Sequence, residues 1–362
     1  MRITAAVSRV RDAPLELEQV ELDDPREDEI LVRMVAVGIC GGDLAVVDGL
    51  NPTALPAVLG HEGAGIVQRV GDGVTTVAAG DPVVLSFNNC GSCAHCREAR
   101  PAYCDHSFPL NWGGRRPDGS TAVTDLGGNA LSSNFFGQSS FATYALSNVR
   151  NTIKVAPEVP LELSGPMGCG FGTGAGTVLN ALKPGPDSTV VILGAGAVAF
   201  SALFAAKIAG VGRVIVAARR AAPLTLATEL GADVVIDTST TDLAEALKRL
   251  GGVDFAIDTT GSPAVLEATL AALKPDGTLA ILGAGHDQEL TVVIPALIPG
   301  RVIRGVPLGD PNPPEFIPYL IQQYEAGNFP VDRLVGYYPL TRINDAIADS
   351  RSGKTIKPIL TM

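Results

Sequence analysis

Histidine and tryptophan are scarce in this chain: its 362 residues include four of the first and one of the second, and aromatic residues make up only 5%. The imidazoles sit at His61, His95, His106 and His286, so chemistry that needs one has few candidates. Positive charge is short as well. Lys plus Arg number 27 against 38 Asp plus Glu, a formal net charge of −11. Such a surface repels phosphate backbones, which argues against a nucleic-acid partner. The opening MRITAAVSRV lacks the basic-then-apolar order of a secretory signal and reads as a strand. An unbroken apolar run of membrane-spanning length is missing too. STVVILGAGAVAFSALFAAKIAGVGRVIVAA approaches that length, but Gly194 and Gly196 interrupt it and its end reads as a strand. The expectation is a cytoplasmic protein with no membrane contact, a setting in which structural disulfides are disfavoured.

Glycine, by contrast, is abundant at 41 residues, and 46% of the chain is hydrophobic. That composition suits an α/β protein with tight turns, and the length exceeds one ordinary core, so two domains are expected. Up to about residue 155, EILVRMVAVGIC, EGAGIVQRVG and GDPVVLSF read as short strands between Gly-Asp turns, an all-β, barrel-like region. LSGPMGCGFGTGAGTVLNALKPG reads as one helix with small residues on one face, stopped at KPG. From residue 188 strands and helices alternate, TVVILGAG, AVAFSALFAAKIAG, RVIVAA, PLTLATELGA, DVVID and onward. Alternation at this pace predicts a doubly wound parallel sheet. PPEFIPYLIQQYEAGNFP reads as an amphipathic helix and KTIKPILTM as a closing strand.

Four of the six cysteines lie in NNCGSCAHCREARPAYC, as Cys90, Cys93, Cys96 and Cys104. Four thiolates so closely spaced can surround one tetrahedral Zn²⁺. Two local disulfides or an iron–sulfur cluster are the other readings, the first opposed by compartment and loop strain. His95, inside this lobe, reads as solvated. The remaining pair is Cys40 in VGICGGD and Cys169 in GPMGCGFGTGAG, and His61 and Glu62 stand in GHEGAG. Two cysteines and one histidine make a three-ligand zinc set with a fourth position open, the arrangement of a catalytic metal. Taken singly, His61 is equally a satisfied core histidine and Cys169 a small buried residue.

LGAGAVA follows a strand and opens a helix, with Gly194, Gly196 and Ala199 in the places of the dinucleotide-binding glycines. Gly194 permits the tight turn, and Gly196 lets a pyrophosphate approach the helix N-terminus. The next strand, RVIVAARR, ends in Ala218, Arg219 and Arg220, where a carboxylate would bond the ribose 2′-OH of NAD. Two arginines instead can pair with a 2′-phosphate, which predicts NADP(H) preference over NAD(H). The competing reading has both arginines solvated and either cofactor accepted.

The stretches GICGGD, GHEGAGIV, the four-cysteine lobe, FFGQSSFATYAL, GPMGCGFGTGAG, GAGAV and GKTIKPIL occur in one order along the chain. Together they resemble the zinc-dependent medium-chain alcohol dehydrogenases, most of all the aryl (benzyl) alcohol dehydrogenase branch. The resemblance implies a GroES-like β-barrel catalytic domain in 1–170 and 310–362, with a structural zinc lobe at 88–106, and a Rossmann coenzyme domain in 171–309. It implies two Zn²⁺ per chain, a catalytic ion on Cys40, His61 and Cys169 and a structural one on Cys90, Cys93, Cys96 and Cys104. By the same resemblance Asp43 fixes the ring of His61, Glu62 can exchange in as a transient ligand, and Thr173 and Val198 line the nicotinamide pocket. Phe87, Leu110, Trp112 and Phe141 become candidate walls for a benzylic, cinnamyl or monoterpenoid alcohol, although each aromatic also reads as plain core. A homodimer or homotetramer through the sheet edge is implied as well. One departure stands out. The family's usual proton route begins two residues after the first zinc cysteine and continues three further on, and here those positions are Gly42 and Ala45. Water or another donor can fill that role, or the chain instead reduces conjugated C=C or C=N bonds. A zinc-holding nucleotide-binding protein without turnover is the third reading.

Overall fold

A computed structural model of the chain describes residues 1–283 and 288–362; His286 lies outside the described residues. The chain separates into two compact units. One comprises Met1–Gly170, Asn312–Gln323 and Val331–Met362, the other Phe171–Pro311 and Tyr324–Pro330.

The first unit is built on two mostly antiparallel sheets. One orders its strands Ala57–Val58, Arg2–Ser8, Glu16–Leu22, Val123–Asp125, Ala130–Leu131. The other runs Thr152–Lys154, Pro82–Leu85, Gly63–Val70, Glu29–Gly38, Lys357–Thr361, Val335–Pro339, with Tyr144–Asn148 also paired to Glu29–Gly38. Alternating apolar residues such as Ile3, Ala5, Val7, Val20 and Leu22 face inward with Leu31, Leu131 and Ala142, as period-two strands over one core require. The closing strand brings Lys357 from the chain's end beside Glu29–Gly38, pairing Ile359 with Gly38.

In the second unit six strands, all parallel, lie in the order Val234–Asp237, Arg213–Ala218, Thr189–Leu193, Val253–Asp258, Leu273–Ile281, Val302–Gly305. That is the doubly wound order with its switch between Thr189–Leu193 and Val253–Asp258. The apolar stretch of near membrane length resolves into strand Thr189–Leu193, helix Ala197–Ile208 and strand Arg213–Ala218. Among the described residues no helix is long and apolar enough to cross a membrane.

Two features differ from the sequence reading. The run expected as one helix is broken: helix Leu161–Ser164 passes into a 3-10 turn at Gly165–Gly168, and a new helix starts at Gly170. Between them Cys169 takes φ −145° and ψ −90°. The cause is competition for the backbone. Gly168 O accepts from Ser86 Oγ at 2.7 Å, and Gly170 N–H donates to Glu62 Oε1 at 3.0 Å, so neither serves a helix. The second difference lies after the helix Pro313–Glu325, where the expected boundary left everything from 310 in the first domain. Tyr324–Pro330 belongs to the second unit. Phe329 is fully buried there, edge-on to Phe171 at 6.5 Å and Phe204 at 5.7 Å.

Candidate metal centres and nucleotide site

Cys40, His61, Glu62 and Cys169 converge so that one ligand atom from each lies within 4.8 Å of the others. Local structure explains how. Cys40 caps the helix Gly41–Val47, and its N–H donates to Asp43 Oδ2 at 3.0 Å. Asp43, only 1% exposed, accepts from both His61 Nδ1 at 2.8 Å and Gly60 N–H at 3.0 Å through Oδ1. A carboxylate on Nδ1 makes that nitrogen the donor and leaves Nε2 free as a ligand. Burial pushes the His61 pKa down, but the charges of Asp43 and Cys40 outweigh it and hold the ring well above its ordinary value. The hydrogen bond between Cys169 and Cys40 draws Cys40 well below the usual thiol range and pushes Cys169 well above it. Two sulfurs and one imidazole with its far nitrogen engaged make a three-donor set that fits a zinc with its fourth position open.

One residue of this site went unread in the sequence. Lys357 Nζ donates to Glu62 Oε2 at 2.8 Å, to Glu62 Oε1 at 3.0 Å and to Ile39 O at 3.1 Å. Both side chains are buried, 3% and 0% exposed. Burial alone would lower the Lys357 pKa, but the Glu62 carboxylate holds it above its ordinary value. Burial raises Glu62, against the pull of Lys357. A lone cation among apolar neighbours in KPIL was the available signal, since a buried lysine demands an anion.

An aromatic wall flanks the imidazole. Phe136 stacks on His61 at 4.4 Å with 23° between the rings, and Phe135 meets it edge-on at 5.4 Å. Trp112 stands edge-on to Phe135 and Phe136 at 5.4 and 4.7 Å. Phe136 has φ 52° and ψ 31°, a left-handed conformation that strains a bulky residue by about 1–2 kcal/mol. The surrounding loop over-determines it. Asn151 Nδ2 donates to Phe136 O and Gly137 O, both at 3.1 Å. Gln138 Nε2 donates to His61 O at 3.0 Å, and Gln138 Oε1 accepts from Gly63 N–H at 3.1 Å. Of the four side chains singled out as pocket walls, Trp112 alone is in ring contact with this cluster. Phe87 and Phe141 are 2% and 1% exposed, Phe141 with its ring under Gly60. Leu110 lines a separate cavity of about 710 Å³ with Asn88, Arg116 and Arg150.

The four cysteines of the lobe bring their sulfurs within 4.8 Å of one another, and none is oxidised. Cys90 Sγ and Cys96 Sγ are 3.9 Å apart, far beyond a disulfide bond. Backbone N–H groups point at the sulfurs: Cys93 N to Cys90 at 3.3 Å, Cys90 N to Cys104 at 3.3 Å, His106 N to Cys104 at 3.4 Å. Burial raises the Cys90 thiol, but N–H donation from Ser92 and Cys93 outweighs it and brings it down to about 5. Burial and the neighbouring Cys93 push Cys96 up to about 12. Such a set ionises fully only around a cation, which fits zinc. His95 is half-buried rather than solvated, because its ring packs 6.0 Å from Tyr103.

At the nucleotide loop Gly194 has φ 108°, and Thr259 Oγ1, donating to Leu193 O at 2.7 Å, fills the space a side chain there would need. Gly196 caps the helix Ala197–Ile208, and Ala199 is buried against the sheet. Gly174, the residue after Thr173, lies against the Val198 carbonyl, where a Cβ would come within 2.0 Å of the oxygen. Ala218 ends its strand, and Arg219 and Arg220 follow it exposed.

Residues 26–157 match the family model of the alcohol dehydrogenase GroES-like domain, and residues 197–325 that of the zinc-binding dehydrogenases. A geraniol dehydrogenase of Castellaniella defragrans is 42% identical over 98% of this chain and 96% of its own. A class-3 alcohol dehydrogenase of Myxine glutinosa is 34% identical over 99% and 97%. Among solved structures, the benzyl alcohol dehydrogenase of Acinetobacter calcoaceticus gives a TM-score of 0.96 at 44% identity, covering 100% of this chain and 99% of that one. An alcohol dehydrogenase zinc-binding domain protein of Burkholderia ambifaria gives 0.97 at 48%, covering 100% and 99%.

Proposed function

Because the chain belongs to the zinc-dependent medium-chain alcohol dehydrogenases, an oxidoreductase family with this α/β fold, we propose that it interconverts alcohols whose carbinol carbon adjoins an sp² carbon with their aldehydes or ketones. In this reading the first unit carries the metal chemistry and the second the nucleotide, NADP(H) in preference to NAD(H). The observation that carries it is the convergence of Cys40, His61 and Cys169 with Asp43 on the far side of the imidazole. A zinc ion held by those three would supply Lewis acidity toward an alcohol or carbonyl oxygen, and the nicotinamide a partner for hydride exchange. Asp43 keeps the proton on His61 Nδ1. Lys357 holds Glu62 away from service as a fixed ligand. Trp112, Phe135 and Phe136 offer an apolar wall, and the substrate class follows from it and from the relatives, since geraniol is allylic and benzyl alcohol benzylic. Cys90, Cys93, Cys96 and Cys104 would hold the second zinc. Six free thiols suit a cytoplasmic setting.

Gly42 and Ala45 keep the second reading, reduction of conjugated C=C or C=N bonds, in play, because neither can relay a proton. One assay set separates these. With an enal and NADPH, the main reading gives the unsaturated alcohol; a saturated aldehyde overturns it in favour of the second. The cofactor preference is checked by kcat/KM. Arginine pairing to a 2′-phosphate, at about 1.5–3 kcal/mol, predicts NADPH favoured over NADH by about ten- to a hundredfold. Ala218→Asp should reverse it, and a wild-type preference for NADH would refute the assignment.

Among the described residues no strand pairs with the outer edge of Val302–Gly305, and beside it in the chain Val293, Ile294 and Ile298 are 66%, 78% and 75% exposed. We read this as the surface through which two copies associate. Ile294→Asp with Ile298→Asp should convert dimer to monomer in sedimentation; an unaltered oligomer would move the interface elsewhere.

A further inference from the structure

Position 42 is not merely empty; it is crowded. A Cβ built on Gly42 would lie 3.1 Å from His61 Cε1, 3.5 Å from His61 Nε2 and 3.6 Å from Trp112 Cη2. Any side chain there asks the imidazole to give way by a few tenths of an ångström and comes into ordinary contact with the indole. The imidazole is not free to do so. His61 is tied through Nδ1 to Asp43 Oδ1 at 2.8 Å. Its ring is also stacked on Phe136 at 4.4 Å, and Trp112 packs edge-on against that same Phe136 at 4.7 Å. Both groups that border position 42 therefore rest on one phenyl ring. Phe136 itself is held in a left-handed conformation by Asn151 at its carbonyl and by Phe135 against its ring at 5.1 Å. A strained, over-determined residue beside a chemical site suggests a role for the strain.

We propose that Phe136 is a positioning residue: it fixes the His61 imidazole for the metal and, by holding His61 and Trp112 together, denies position 42 a side chain. The missing hydroxyl at Gly42 and the aromatic ring at Phe136 are then two halves of one packing solution. Restoring a hydroxyl alone displaces the metal ligand, whereas removing the phenyl ring first makes room for it.

This rests on the reading of Cys40, His61 and Cys169 as metal ligands, and the test keeps the two apart. Metal-loaded wild type, Gly42→Ser, Phe136→Leu, the double variant, Phe136→Gly and Phe136→Tyr are compared. The readouts are the rate of zinc loss to a chromogenic chelator and the visible spectrum of the Co²⁺-substituted protein. Phe136→Leu should speed zinc loss from this site by about 10- to 100-fold, the range for residues that support a ligand, and leave release from the four-cysteine lobe unchanged. Phe136→Gly, which keeps the left-handed backbone without strain, should do the same, and Phe136→Tyr, which keeps the stack, should match wild type. Gly42→Ser should shift the Co²⁺ spectrum in wild-type background and shift it less once Phe136 is leucine. Unchanged release in Phe136→Leu and Phe136→Gly, or strictly additive effects in the double variant, overturns the proposal. Wild-type protein that binds metal only at the four-cysteine lobe overturns the metal reading beneath it.

Discussion

Cys169→Ala is expected to lower bound zinc from two equivalents per chain to one, in keeping with the two ligand clusters, and to leave a folded protein with almost no turnover. The Lewis acidity of a bound metal is worth several kcal/mol of transition-state stabilisation. At about 1.4 kcal/mol per tenfold, kcat/KM should fall by about 10³-fold or more. Folding should survive because the backbone at Cys169 is set by its neighbours. Gly168 O is held by Ser86 and Gly170 N–H by Glu62, and neither contact uses the sulfur. The remaining set, Cys40, His61 and Glu62, lacks the second thiolate, and Glu62 is committed to Lys357. Elemental analysis beside steady-state rates checks the claim. Retention of both metals with unaltered turnover would remove Cys169 from the ligand set.

The second unit was legible because each strand and helix there satisfies its own pattern, and a parallel order follows once they alternate. The four-cysteine lobe was legible for a similar reason: its ligands are neighbours in the chain. What could not be read depends on partners far away in sequence. Leu163 to Leu182 reads as one helix with small residues on one face. At the break around Cys169, Ser86 and Glu62, 82 and 108 residues away from Gly168 and Gly170, take backbone groups of a stretch already weakened by Pro166 and its glycines. Phe136 is not singled out by FFGQSSFATYAL. Its left-handed turn comes from Asn151, and its ring meets His61 because Gln138 ties the loop to the strand that follows His61. Phe87 and Phe141 carry the same residue type without such a loop and end in the core. Nothing local distinguishes these cases.

Lys357 shows the same dependence, and breaking its contact should have the largest effect on stability. The Glu62–Lys357 pair is buried, and removing one member leaves the other as an uncompensated buried charge. In Lys357→Met the Glu62 carboxylate keeps only the Gly170 N–H, and the Ile39 carbonyl loses its donor. Breaking a buried pair this way destabilises by about 3–5 kcal/mol, well above the effect of any exposed ion pair of this chain. Adding Glu62→Gln should recover part of that loss, because a neutral amide oxygen still accepts from Gly170 and no charge remains buried, although Ile39 O stays unpaired. The two changes should therefore be strongly non-additive. Trp112 is the chain's one tryptophan and lies against Phe135 and Phe136 beside His61, so its fluorescence reports unfolding of the first unit. Urea titrations of wild type, both single variants and the double variant, followed at that residue, measure the coupling. Equal midpoints for wild type and Lys357→Met would mean that the pair contributes nothing net. In that case the attraction between Glu62 and Lys357 only cancels the desolvation of two ions, and Glu62 is held in place by the Gly170 amide alone.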